Sequence, residues 1–186
     1  HKALEIDESI PDTHALIGLL KIWKKDYDGA IAAAEKAVSL GPSSAESYAE
    51  LGMLYRYVGR FDESIRMTEK AIRLHPYYPD WYLYNLEYSY YYLGQHEKAI
   101  ALAKKHLKLI ESRGGTDTFW QHLILAQNNI RLGKDKEARY HAAEGLKANP
   151  QYTFKWEREG SMYRDPALIE QQIDDLRKAG LTCEGE

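Results

Sequence analysis

Residues 45–78 read AESYAELGMLYRYVGRFDESIRMTEKAIRLHPYY, and the order of residue types in this stretch decides the fold. Tyr48, Leu51, Gly52 and Tyr55 fall at helical spacing and share one face. Gly59-Arg60-Phe61 then breaks the helix, and a second run carries Ser64 and Ala71 before Pro76 stops it. Ser44, just ahead of the stretch, is placed to cap the first helix. The same signals recur 34 residues upstream. Leu51-Gly52 is preceded by Ile17-Gly18, Ser64 and Ala71 by Ala30 and Ala37, and Pro76 by Pro42. A period of this length marks a stacked array of helix pairs.

The grid extends along most of the chain. The first repeat is expected over 11–44, with His14, Ile17, Gly18 and Ile22 on its first helix and Ala30, Ala33, Ala34, Ala37 and Leu40 on its second. Small residues gather where the two helices of a pair approach. Gly41-Pro42 ends the second helix, and Gly41 is expected to take a left-handed cap. The second repeat spans 45–78, the third 79–115 and the fourth 116–150. The fourth holds Leu125, Ala126, Gly133, Ala138 and Ala142 at the repeated sites. Residues 1–10 fit the end of a partial repeat, since Ala3 precedes Ala37 by 34 positions, so the chain reads as a piece of a longer protein.

The third repeat departs from the pattern. Gly94 follows Gly59 by 35 residues, which brings either Glu87 or Leu86 to the site of Gly18 and Gly52. His106 stands where Ala37 and Ala71 stand. Large residues at two close-contact sites predict a splayed pair. Gly133 follows Gly94 by 39 residues, and the extra length is assigned to the preceding helix and the loop around Gly114-Gly115. That loop lacks the Lys and the second Gly spacing of a phosphate loop.

After Asn149-Pro150 the pattern ends. Residues 151–164 carry Tyr152, Phe154, Trp156, Met162 and Tyr163, too apolar for a free linker. A last helix follows, capped by Asp165, opened by Pro166 and closed by Gly180, with Ile169, Ile173 and Leu176 on one face. An atypical terminal unit of this kind covers the end of a repeat core.

These residues resemble the tetratricopeptide repeat family over nearly the whole chain. The resemblance implies an all-α, right-handed solenoid of about four helix-turn-helix repeats, with a connecting segment and a C-terminal capping helix over 151–186, the whole forming one domain. It implies a protein that binds other proteins and is not an enzyme. The stretch from Asn149-Pro150 to Leu176-Arg177-Lys178-Ala179-Gly180-Leu181 is similar to the end of repeat regions appended to bacterial class III adenylate/guanylate cyclases. That likeness implies, as the alternative, a regulatory or dimerisation arm of a larger signalling enzyme.

The densest local feature runs from Tyr77 to Tyr92. By helical period it divides into two stripes. Leu83, Leu86, Tyr90 and Leu93 match the family's core within a pair. Trp81, Tyr84, Tyr88, Tyr91 and Tyr92 form a second stripe, although one apolar face is enough to hold a helix. In the family this second stripe lines the concave groove. The resemblance then assigns to the groove Leu19 and Trp23, next Met53, Arg56 and Tyr57, next the five aromatics of the third repeat, and last Trp120, Leu123, Gln127 and Arg131. Tyr, Trp and Arg are the residues that dominate binding hot spots. The expected partner is an extended or helical protein segment, with Arg56 and Arg131 pairing acidic groups on it. Three readings of the stripe stay open: an open partner groove, a contact in a homodimer, and coverage by the chain's own residues 151–164 or last helix. The Lys and Asn of the clamp that grips chaperone tails are absent from this wall, which argues against that ligand.

Composition narrows the remaining classes. The chain has 186 residues, 44% hydrophobic, and a formal charge of −3 without a basic stripe, which argues against nucleic acid. No apolar run reaches the length of a membrane span, so no membrane partner is expected. Cys183 is the only cysteine, a usage that suits a reducing, cytoplasmic compartment. Neither metal nor cofactor is expected. His96-Glu97 lacks a second His at the zinc-helix spacing, and His122 and His141 fall on the two helices of one pair, where solvated or core roles are the ordinary reading. Asp174-Asp175 is assigned to the last helix's solvated outer face.

Overall fold

The computed structural model describes residues 10–182. The partial repeat expected over residues 1–10, apart from Ile10, and Cys183 lie outside them. The described residues form ten α-helices: α1 (Pro11–Trp23), α2 (Tyr27–Leu40), α3 (Ala45–Tyr57), α4 (Phe61–Leu74), α5 (Trp81–Tyr92), α6 (His96–Ser112), α7 (Phe119–Arg131), α8 (Asp135–Ala148), α9 (Phe154–Gly160) and α10 (Pro166–Lys178). The helices pair as helix-turn-helix units with a trailing helix, the arrangement of tetratricopeptide repeats. The chain forms two compact units, parted between Asn85 and Leu86 inside α5.

In the first unit, α1 packs on α2 and α3 on α4. The close approach is visible at Gly52, where an added Cβ would stand 2.5 Å from Thr68 Oγ1 and 3.1 Å from the Ser64 carbonyl oxygen. Ala30, Ala34, Leu51, Leu54 and Tyr55 join Ile22 in one buried cluster between the two pairs. The Tyr55 hydroxyl reaches across it and donates to Glu35 at 2.8 Å. Ser44 caps α3 by accepting from the Ser47 amide at 3.2 Å, as its place in the sequence implies. The start of α5 belongs to this unit. Its Tyr82 is 0% exposed, packs with Ala49 and Ala71 and donates to Glu46 at 2.9 Å.

The turns inside the pairs share one device. Gly59, Gly94 and Gly133 take φ of 81°, 69° and 68°, a region that costs glycine nothing. Lys25 occupies the same site in the first pair at φ 59°, with a side chain that disfavours it. Gly41 does not take the left-handed cap expected from the sequence, for its φ is −121°. What requires glycine there is space: a Cβ would lie 2.9 Å from Pro11 Cγ.

In the second unit, α7 packs on α8 and on α6, and α10 packs on α7 and α9. Gly145 lets α8 approach α7, its absent Cβ standing 3.0 Å from Leu123 Cδ2. In the pair expected to splay, the two large residues at the contact sites meet each other. Glu87 and His106 are both 0% exposed, and His106 Nδ1 lies 2.9 Å from Glu87 Oε1. Gln121 of α7 adds its amide at 3.2 Å from the same ring nitrogen. Two large polar groups thus bond to each other at the sites that hold glycine and alanine in the earlier pairs. Burial pushes the Glu87 carboxyl above its ordinary range, with the His106 bond acting in the opposite direction.

The stretch 151–164 contains a short helix, α9, which the sequence alone leaves unassigned. Thr153 caps it by accepting from the Trp156 amide at 3.1 Å. Phe119, Tyr152, Phe154 and Trp156 form an aromatic layer at this end, with Phe119 and Tyr152 centroids 5.1 Å apart. Asp165 caps α10 through the Ala167 amide at 2.9 Å.

Candidate functional site

The expected groove residues fall into two groups, one in each unit. In the first unit, Leu19 on α1 and Met53 and Tyr57 on α3 are partly buried, whereas Trp23 at the end of α1 is 71% exposed. Leu16 and Leu20, on the same helix as Trp23, are exposed as well. Arg56 is buried. Its guanidinium lies 4.3 Å from the Tyr57 ring centroid, and its Nε donates to Asn85 Oδ1 at 3.4 Å. Asn85 in turn donates to the Ala49 carbonyl at 3.2 Å. Arg56 therefore ties α3 to the start of α5. Trp81 turns toward Ala49, Ala71 and Tyr82, and its ring meets Tyr82 edge-on at 4.5 Å. Tyr84 is partly buried.

In the second unit the wall is occupied by the chain itself. Tyr91 is 1% exposed, and its hydroxyl donates to Asp175 Oδ2 of α10 at 2.6 Å. Arg131 Nε donates to the same oxygen at 2.6 Å. The Tyr92 hydroxyl donates to the Leu168 carbonyl at 3.1 Å and accepts a short bond from the Gln172 amide. Gln127 donates to the Gln172 carbonyl at 3.4 Å. Gln127 with Gln172 and Arg131 with Asp175 advance together, so α10 runs parallel to α7. Leu123 and Tyr88 are buried. Trp120 faces α9, its centroid 6.1 Å from that of Trp156.

Burial and the Asp175 carboxylate push the Tyr91 phenol far up, and burial does the same to Tyr92. Both stay protonated and act as donors at any ordinary pH. Asp175, assigned to the solvated face, is buried, while Asp174 beside it is exposed and pairs with Lys178. The signal that separates the two is a seam of Leu168, Gln172 and Asp175 at helical spacing along the flank of the apolar face. Tyr82, Asn85 and Glu87 belong to neither expected stripe, yet all three are buried. Tyr90 and Leu93, expected in the core, are only partly buried. A helix wrapped on most of its surface does not sort into two stripes.

The comparisons with known proteins agree with this geometry. Residues 43–112 match the family model of the tetratricopeptide repeat. The match covers the second repeat and most of the third, and for the rest of the chain the likeness is one of fold. Its fold is similar to that of YrrB, described as a TPR protein with an unusual peptide-binding site, at 22% identity and a TM-score of 0.63, over 96% of this chain and 89% of that one. PilW, a widely conserved type IV pilus biogenesis factor, is 20% identical with a TM-score of 0.72, over 96% and 77%. TTC0263, a thermophilic TPR protein of Thermus thermophilus, is 20% identical with a TM-score of 0.65, over 95% and 86%. No curated protein matches the sequence. None of these three likenesses is to a cyclase-associated region, and at such identities they speak for the repeat fold alone. Among the described residues, no helix is long and apolar enough to cross a membrane, and no group of three or more His, Cys, Asp or Glu is placed to hold a metal ion.

Proposed function

We propose that this protein binds an amphipathic segment of another protein along the exposed face of its first unit. The face consists of Leu19, Trp23, Met53 and Tyr57, with Leu16 and Leu20 beside them. The observation that carries the reading is the way the second unit holds α10. There the corresponding wall residues grip an amphipathic helix of the same chain through tyrosine hydroxyls, side-chain amides and the Arg131–Asp175 ion pair. In the first unit Trp23 remains 71% exposed, a large aromatic in the position of an anchor. The peptide-binding site described for YrrB, a protein of similar fold, supports the same use here. Arg56, held by Asn85 and Tyr57, shapes the face and does not serve as its acid-pairing anchor.

A displayed library of helical and extended peptides, selected on the purified chain, tests this reading. Trp23→Ala is expected to weaken a selected peptide by more than about 1 kcal/mol while leaving the melting temperature unchanged, as anchor truncations do. Unchanged affinity in a folded Trp23→Ala/Met53→Ala variant removes this face from the function. Sedimentation that shows a dimer lost on Trp23→Ala assigns the face to a second copy of the chain instead.

A further inference from the structure

We propose that His122 and His141 form a binding site for a late first-row divalent metal ion, Cu2+, Ni2+ or Zn2+, on the pair formed by α7 and α8. The sequence places these residues on facing helices, and the fold brings their Nδ1 atoms to 3.0 Å with ring centroids 5.3 Å apart. Two imidazole nitrogens bound to one such ion at about 2.0–2.1 Å stand about 3 Å apart when their bonds meet near a right angle. The spacing already present is therefore that of two ligands in neighbouring coordination positions. Both rings are partly buried, so one flank of the pair reaches water and an ion has a path in.

The charges around the rings favour a cation. Glu144, one turn from His141 on α8, acts on both rings while also pairing with Lys147, Glu111 acts on His122 and Glu137 on His141, and Lys104 opposes them. Burial lowers the affinity of His122 for protons. Burial, the neighbouring His122 and Lys104 bring His141 to about 4. Metal binds the neutral imidazole, the form that burial favours for both rings. Without metal one ring must donate its Nδ1 proton to the other. When that proton shifts to Nε2 of its ring, both Nδ1 lone pairs are free for a metal ion, with water completing its shell. With two nitrogen donors and no thiolate, copper binds more tightly than nickel or zinc, and calcium, which takes oxygen ligands, does not compete.

The test uses the tag-free chain, stripped with chelator and titrated at pH 7.5 with CuCl2, NiCl2, ZnCl2 and CaCl2 by calorimetry, with electron paramagnetic resonance of the copper form. The expected result is uptake of a single copper ion per chain, a spectrum with hyperfine structure from two equatorial nitrogens, and a raised melting temperature. His122→Gln and His141→Gln are each expected to weaken copper roughly tenfold or more, while His75→Gln binds as the wild type. No uptake at micromolar copper overturns the proposal. So does unchanged affinity in either folded variant, or a copper spectrum without two-imidazole coupling, which needs no variant at all.

Discussion

The hydroxyl of Tyr91 and the carboxylate of Asp175 are separated by 84 positions in the chain and by 2.6 Å in the fold. This bond, with Arg131 donating to the same oxygen, fixes α10 against α5 and α7. Asp175→Ala leaves a buried phenol without its acceptor and a partly exposed guanidinium that can turn to water. The expected cost is about 1–3 kcal/mol, most of it from the phenol. Tyr91→Phe removes the donor but leaves Arg131 to pair Asp175, and is expected to cost about 1 kcal/mol. Urea denaturation of the two variants checks the order. Equal stability of Asp175→Ala and wild type excludes this bond as the tether of α10.

The helix pairs are legible in the sequence because their signals are local. Gly52, Ala71 and Pro76 stand for a close approach, a small contact and a stop, and each depends on a few neighbours. The place of α10 is not legible in that way. Its apolar face of Ile169, Ile173 and Leu176 can be read, but its partner is set by Tyr91, Tyr92 and Arg131, far away in sequence. Asp175 illustrates the limit: its spacing from Leu168 and Gln172 sets it apart from Asp174, but that the seam lies under Tyr91 is decided by the tertiary fold. Glu87 and His106 fail differently. Each is placed at a small-residue site by the repeat, but reading each by its size alone misses that the two side chains occupy the sites as a bonded pair.

That pair makes a second prediction. Removing His106 alone strands a buried carboxyl, and removing Glu87 alone strands a buried imidazole. Single alanine variants are each expected to lose about 3–5 kcal/mol if the pair is ionised, and less to the extent that Glu87 holds its proton. The double change Glu87→Gly/His106→Ala restores the residue types of the earlier pairs and removes both stranded groups. Its loss is expected to fall well below the sum of the singles. A double-mutant cycle by thermal or urea unfolding measures the coupling, and strict additivity would falsify the pairing as an energetic unit.

Glu157 gives a pH-dependent prediction. Burial raises its carboxyl to about 7 from an ordinary 4.5, with a bond from Tyr152 opposing. Below about 4.5 the group is protonated in both folded and unfolded chains, and its favourable contribution is complete. As pH rises toward 7 the unfolded chain ionises first, so stability falls across that window. Glu157→Gln has no proton to lose. It is expected to match the wild type within a few tenths of a kcal/mol at pH 4.5 and to exceed it by about 1–2 kcal/mol at pH 8, after discounting the full shift for partial exposure. Unfolding at the two pH values decides it, and an equal difference at both excludes titration of Glu157 as the cause.

Lys25 carries the last prediction. It stands at φ 59° in the turn where Gly59, Gly94 and Gly133 stand at 81°, 69° and 68°. A side chain in this region brings Cβ against its own backbone, at a cost of roughly 1 kcal/mol relative to glycine. Glycine also has more freedom to lose from the unfolded chain, which offsets part of the gain. Lys25→Gly is therefore expected to raise stability by about 0.5–1 kcal/mol. The mirror change Gly59→Ala meets no atom within 4 Å, so its loss isolates the backbone conformation from any clash. That loss is expected to be of similar size and opposite sign. Thermal unfolding of both variants checks the pair. A Lys25→Gly variant less stable than the wild type would show that contacts of the lysine stem outweigh the strain at this turn.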